Sequence, residues 1–333
     1  MKKFTRIGLL TTHTFKSLAQ NRKSSSLPLS ECINKRNALY NAEVKRQKES
    51  IGRIEKISVC YEGVPKNEYF AMNRQMSTPY HVALHINEFI AHKSVLGLVD
   101  GQRLWDMHRP LDSDCTLQFL NFVDSDPHHC NKAYWRSCSF LLGALAETCF
   151  KDSIHCNLHS FPSPNVKSGS FVYDVQLSLD DWTPSKDELR ILSAEFSKLC
   201  RQHLPFHRLD VDPEVALEIF SYNPFKSSQI PDIAMNSPGN KITLYRVGDH
   251  VDISRGPMIN NTKQIGRATI TAVHKLESEL GQMFRFQGVS IPAEFRLNHF
   301  AYNILEERAM KLNQARVPGP SEFAPGLQSA EIA

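Results

Sequence analysis

With 333 residues there is room for two or three domains of ordinary size, and no apolar run is long enough to cross a bilayer. A formal net charge of +4 falls short of the basic stripe expected of a dedicated nucleic-acid binder. The eight cysteines (Cys32, Cys60, Cys115, Cys130, Cys138, Cys149, Cys156, Cys200) are widely spaced. That excludes a small disulfide scaffold and reads as free thiols in a reducing compartment.

Residues 1–30 differ in kind from the rest. They carry Lys2, Lys3, Arg6, Lys16, Arg22 and Lys23, and no acid precedes Glu31. Hydroxyl residues are frequent, and Leu9, Leu10, Phe15 and Leu18 can share one helical face. This is the composition of a mitochondrial transit peptide; the alternative is a disordered basic arm. Residues 31–55 read as a charged connecting or docking helix, with Leu39, Ala42 and Val44 too sparse to anchor it alone. Lys45, Arg46 and Lys48 read as its solvated face.

A compact α+β unit is expected over residues 56–125. Ile57 to Tyr61 and Tyr69 to Met72 read as strands. Thr78-Pro79 opens a helix running to about Ile90, a cap residue followed by proline at the first helical position. Val95 to Val99 is a strand, Asp100-Gly101 a tight turn, and Thr116 to Leu120 a closing strand.

Over residues 126–297 the clearest element is a helix from Lys132 to Phe150. Trp135, Cys138, Leu142, Leu145 and Cys149 place an apolar face along it. Later come a strand through Ser168 to Val175, a helix opened by Thr183-Pro184, and a helix from Val215 to Phe220. Leu244 to Val251 is an apolar run broken by a turn, and it leads into Asp252-Ile253-Ser254-Arg255-Gly256-Pro257-Met258. Strands through Ile270 to His274 and Phe284 to Gly288 follow. A charged helix from about Asn298 to Gln314 and a tail rich in Pro, Gly and Ala close the chain at 298–333.

Several of these runs resemble threonyl-tRNA synthetases. Tyr245 to Met258 is similar to that family's editing-region run Y-R-x-G-D-F-x-D-L-C-R-G-P-H. Tyr134 to Gly143 is similar to its W-H-S-S-A-H-x-L-G run, and Ser168 to Val175 to its G-F-Y-Y-D-F strand. Thr78-Pro79, Val99-Asp100-Gly101 and the closing strand resemble its TGS domain. The resemblance implies an α+β chain, a β-grasp TGS domain followed by an editing-like domain, over roughly residues 56 to 290.

In that family an H-x-x-x-H pair on the helix meets a C-x-x-x-H pair in the turn. The matching positions here are Arg136 and Phe140, and Ser254 and Met258. A guanidinium stays protonated and cannot act as a base or ligate a cation. Phenylalanine has no lone pair to offer, serine lacks an accessible thiolate, and a thioether is a poor zinc ligand. The expectation is an editing frame without catalysis, and with no catalytic residue, metal or cofactor. The residues after 290 leave no room for a synthetase core, so aminoacylation is not expected.

The runs Asn131 to Cys138 and Phe286 to Ser290 are most similar to non-catalytic relatives of the family that are built into the mitochondrial ribosome. This implies a structural component of the large subunit in the mitochondrial matrix, contacting ribosomal RNA and neighbouring ribosomal proteins. It also implies no membrane span and no small-molecule substrate.

Two rivals stand beside that reading. One is a freestanding aminoacyl-tRNA deacylase using a shifted set such as His155, Cys156 and His274. The other is an RNA-binding regulator acting through the TGS domain, with no Gly-rich phosphate loop to suggest a nucleotide. His128-His129-Cys130 and His155 to His159 hold metal-capable side chains. Without a paired C-x-x-C they read as surface histidines beside buried thiols. Trp105, Trp135 and Trp182 read as core or interface residues.

Overall fold

The computed structural model describes residues 28–179 and 181–317. The expectations for residues 1–27 and for the tail beyond 317 lie outside the described residues.

Helix α1 (Leu29–Glu49) ends six residues before Glu55, and Gly52, at φ +64°, turns the chain toward the first strand. Its apolar content is as sparse as expected, but it still docks. Arg36, Tyr40 and Glu43, spaced four and three apart on one face, are buried. The Tyr40 ring packs with Val211, Ile219, Phe220 and Val251, and the Arg246 guanidinium lies over it at 4.7 Å.

The next five strands form one mixed sheet. They are β1 (Lys56–Tyr61), β2 (Glu68–Asn73), β3 (Leu96–Val99), β4 (Arg103–Asp106) and β5 (Cys115–Leu120). Their spatial order is β2-β1-β5-β3-β4. The central pair β1 and β5 is parallel and the other pairings are antiparallel, which is a β-grasp arrangement. Between the hairpins lie α2 (Pro79–Ile86) and α3 (Glu88–Lys93). Thr78 caps α2 in a capping box with His81. One helix to Ile90 was expected. Instead Asn87 is extended at φ −168° and ψ 136°, and its side chain caps α3 by accepting the Phe89 N–H. Asp100 and Gly101 both take positive φ, as a two-residue hairpin turn requires. The same turn brings in β4, which was not expected from the sequence.

The second half is built around α4 (His128–Thr148). A one-sided apolar face was expected. The structure buries every residue from Ala133 to Glu147 except Arg136. The reason is that layers cover it on several sides. A four-stranded antiparallel sheet in the order β11-β12-β7-β6 covers one side. Its strands are β6 (Cys156–Ser160), β7 (Phe171–Leu177), β11 (Ile265–Ser278) and β12 (Gly281–Pro292). Gly143 allows β7 to approach, since a Cβ there would come 2.7 Å from the Tyr173 ring. Helix α5 (Lys186–Cys200) also packs against α4. Ser185 caps α5 rather than Thr183, in a capping box with Glu188.

The third sheet, β10-β9-β8, comprises β8 (His207–Val211), β9 (Ile242–Val247) and β10 (His250–Ile253). It carries α6 (Pro213–Ile219) and α7 (Pro224–Met235). Helix α7 was not expected from the sequence. Helix α8 (His299–Met310), capped by Asn298, lies on β11 and β12. It stops four residues short of Gln314.

Candidate functional site

The turn after β10 and the first half of α4 form one site. Gly256 takes φ +65° and is joined to Pro257 by a cis peptide. The chain therefore turns back onto α4. Arg136 Nη1 donates to the Pro257 carbonyl at 3.0 Å. The Ser137 hydroxyl donates to the Ala133 carbonyl at 2.7 Å and accepts the Ile259 N–H at 3.0 Å. The Met258 sulfur lies 3.5 Å from the same hydroxyl. Arg136, Ser254 and Met258 thus meet around a single turn.

Phe140, one helical turn along, points into the core instead. It packs edge-on to His250 at 4.9 Å and to Phe206 at 6.0 Å. Phe140 and Met258 are wholly buried. The Ser254 hydroxyl is engaged by the Gly256 N–H at 3.3 Å. Burial pulls the Arg136 guanidinium below its ordinary value. The four side chains offer packing, one carbonyl contact and one turn-capping hydroxyl. No group of three His, Cys, Asp or Glu side chains among the described residues is placed to hold a metal.

The β-grasp unit also reaches the site. Asp106, at the end of β4 and 2% exposed, accepts the Met258 N–H at 2.8 Å and the Tyr245 hydroxyl at 2.8 Å. Arg208 Nη1 lies 3.8 Å from its other oxygen. Burial pushes this carboxyl up, against the pull of the Met258 N–H and Arg208. Nothing in the sequence pattern pointed to Asp106; its partners lie more than a hundred residues away.

Three further buried charge clusters key other segments to the same scaffold, and none was read from the sequence. Arg36 of α1 forks onto Glu147 at 2.6 and 2.9 Å and also donates to Tyr222 and to the Asp249 carbonyl. His250 Nδ1 lies 2.9 Å from Glu147. Lys226 of α7 meets Asp252 at 2.6 Å, with the Tyr173 hydroxyl donating to the same carboxylate. Arg285 of β12 forks onto Asp174 of β7 at 2.7 Å on both arms and donates to the Asn313 carbonyl. Gln287 and Asn313 complete that strap. Asp174 and Asp252 both stand inside the family-like runs, which is the one signal that could have marked them.

The remaining candidates are dispersed. None of the eight cysteines forms a disulfide. Burial pushes Cys130 up to about 12 and Cys156 well above its ordinary value. Cys156 begins β6 and His274 lies on β11, at opposite edges of a four-stranded sheet. Three strand spacings of about 4.8 Å keep them roughly 14 Å apart, so the shifted catalytic set is not assembled. His155, His128 and His129 are exposed as expected, but His159 is 2% exposed. Burial beside Lys226 lowers His159 to about 4. All three tryptophans are buried. Lys45 and Arg46 are solvated and pair with Glu49 and Glu43 of their own helix.

The TGS domain model matches residues 64–121, the span from just after β1 through β5. Probable threonine–tRNA ligase 1, cytoplasmic, of Dictyostelium discoideum is 28% identical over 252 residues, 74% of this chain. Threonine–tRNA ligase 2, cytoplasmic, of Bos taurus is 33% identical over 237 residues, 70% of this chain. The chain spans about a third of the length of those ligases. Fold and site together define a threonine–tRNA-ligase-like α+β chain, in which a TGS unit of the β-grasp type precedes an editing-like frame. Large ribosomal subunit protein mL39 of Drosophila melanogaster is 48% identical over 302 residues, 90% of this chain and 90% of that one. The chain belongs to the mL39 family.

Proposed function

We infer that this chain is a structural constituent of the large subunit of the mitochondrial ribosome, and is not an enzyme. The observation that carries the reading is the 48% identity to a large ribosomal subunit protein across nine-tenths of both chains. The basic, acid-free composition of residues 1–30 supports delivery to the mitochondrial matrix. Its partners are ribosomal RNA and ribosomal proteins, which it meets at the surface of the subunit. A net charge of only +4 suits a component held by protein neighbours as much as by phosphate contacts.

Arg136, Phe140, Ser254 and Met258 are, on this reading, the former editing positions, turned over to packing. Three observations support it. Arg136 closes on Pro257, Phe140 is packed against His250, and Asp106 holds the Met258 N–H. The division at residues 56–125 and 126–297, with a connector helix before and a helix and tail from 298, follows the same reading. Buried ion pairs at Arg36, Asp106 and Arg285 lock the connector, the TGS unit and the C-terminal strap to one body. Such pairs add little net stability but specify position, which suits a part that is built into an assembly.

Sedimentation of a tagged full-length copy from mitochondrial lysate tests the function. The expected result is co-migration with the large subunit that persists when magnesium chelation splits the two subunits. Migration solely as a light, free species would overturn it.

A further inference from the structure

A concavity lies between the β-grasp unit and the editing-like frame, and none of the four former editing positions lines it. Its volume is about 510 Å³, enough for a nucleotide. Seven buried side-chain polar atoms among the described residues lack a hydrogen-bond partner, and three of them belong to this wall: His108 Nε2, Asn260 Oδ1 and Gln264 Oε1. Orphaned buried polar atoms are rare in native proteins, and each calls for an explanation.

The two amides are fixed in orientation. Asn260, 2% exposed, donates both amide hydrogens to the Ala91 and Ser94 carbonyls at 2.8 and 3.1 Å. Gln264 Nε2 donates to the Ser94 carbonyl at 3.0 Å. Turning either amide over would set oxygen against oxygen. Their carbonyls are therefore held as acceptors: nothing reaches the one on Gln264, and only the neighbouring His108 ring acts on the one on Asn260.

Burial lowers His108, while Asn260 opposes that shift. The neutral ring leaves one nitrogen able to accept. The Tyr80 ring lies 4.8 Å from it, tilted by 40°, so part of the wall is aromatic. At the mouth Lys93 is taken by Glu294 at 3.3 Å. Lys263 is exposed, and no carboxylate among the described residues is within ion-pair distance of it.

We propose that this cavity binds a single nucleotide, with an amine-bearing base directed at the Asn260 and Gln264 carbonyls and its phosphate at Lys263. An exocyclic amine with its neighbouring ring nitrogen supplies what two fixed acceptors and an imidazole lack. The Tyr80 and His108 rings offer the base an aromatic face. A free nucleoside monophosphate and an unpaired residue of an RNA strand share this chemistry. The proposal stands apart from the ribosomal reading, since it rests on the cavity alone.

The test is titration calorimetry of the purified full-length chain against AMP, CMP, UMP, inorganic phosphate and a short oligoadenylate. Saturable binding of AMP or CMP is expected, with UMP at least about tenfold weaker because its base lacks the amine and strands buried acceptors. Phosphate alone should not bind. K263A should weaken AMP about fivefold to tenfold with an unchanged melting temperature. A293W, placed at the exposed mouth, should abolish binding. Oligoadenylate binding more tightly than AMP assigns the site to an RNA residue; AMP binding as tightly or more so assigns it to a free nucleotide. Absence of binding by every nucleotide would mean that water alone occupies the cavity, and would overturn the proposal. Equal binding of UMP or phosphate, or AMP binding that survives A293W, would overturn it too.

Discussion

The Tyr245 hydroxyl sits 2.8 Å from each oxygen of Asp106, across 139 positions of sequence. Both side chains are buried, and through Met258 N–H the same carboxylate holds the turn that covers α4. This contact joins the β-grasp unit to the editing-like frame. Asp106→Leu strands the Tyr245 hydroxyl and the Met258 N–H together, while Arg208 keeps Asp210 at 3.0 Å, and should cost roughly 2–4 kcal/mol. Tyr245→Phe removes one donor of several and should cost about 1–2 kcal/mol. Urea denaturation of the three proteins checks the order. Equal midpoints would show that the clamp is incidental.

Gly256 depends on the same tyrosine. A Cβ at Gly256 would stand 1.9 Å from the Tyr245 oxygen, and its φ of +65° already disfavours any L side chain. Gly256→Ala should therefore destabilise by about 2 kcal/mol or more. Adding Tyr245→Phe removes the nearest clashing atom, so the double variant should recover part of the loss. A double-mutant cycle reads this directly. Simple additivity would mean that the strain at Gly256 has another source.

Restoring the family's side chains should not restore chemistry. In a variant carrying Arg136→His, Phe140→His, Ser254→Cys and Met258→His, the new imidazoles at 140 and 258 enter places that are wholly buried. The Asp106 contacts to Tyr245 and to the Met258 N–H stay in place. Hydrolysis of seryl-tRNA should stay at the rate in buffer, and far-ultraviolet circular dichroism shows whether the fold survives. Folded protein that hydrolyses seryl-tRNA above buffer would mean that the site has lost its residues but stayed open.

Local pattern carried β1, β2, β3 and β5, the Thr78 cap and the Asp100-Gly101 turn, because each depends on neighbours within a few positions; β4, β6 and β8 were missed. Arg136, Phe140, Ser254 and Met258 were singled out for a different reason: they stand at a spacing that resembles the family's. What stayed hidden was long-range. Asp106 looks like any acid before a turn, and Arg36 like any cation on a polar helix. Only the fold brings Arg36 beside Glu147, 111 positions away. The all-round burial of α4 was hidden as well. Ser137 and Glu147 lie off the apolar face that the sequence marks, and only the fold sets Met258, Ile259, Arg36 and His250 against them.

The Arg36–Glu147 pair makes stability depend on acid. Burial alone would raise the Glu147 carboxyl, but the charge of Arg36 and the contact with His250 hold it down to about 2, from an ordinary value of 4.5. A carboxyl lowered on folding contributes stability that is complete above its unfolded value. That stability is lost as pH falls through the window from about 4.5 to 2. A shift of this size corresponds to on the order of 3 kcal/mol. Glu147→Gln cannot lose a proton, and it leaves Arg36 without its counter-charge, so at pH 7 it should be less stable than the native chain by about 3–5 kcal/mol. That gap should narrow by on the order of 3 kcal/mol between pH 5 and pH 2.5, because the native chain alone gives up the pair. Urea unfolding of both proteins across that range measures the gap without interference from other acids, which titrate alike in the two. A gap that stays constant with pH would show that Glu147 has the same affinity for its proton folded and unfolded, and that the Arg36 fork holds α1 by geometry alone.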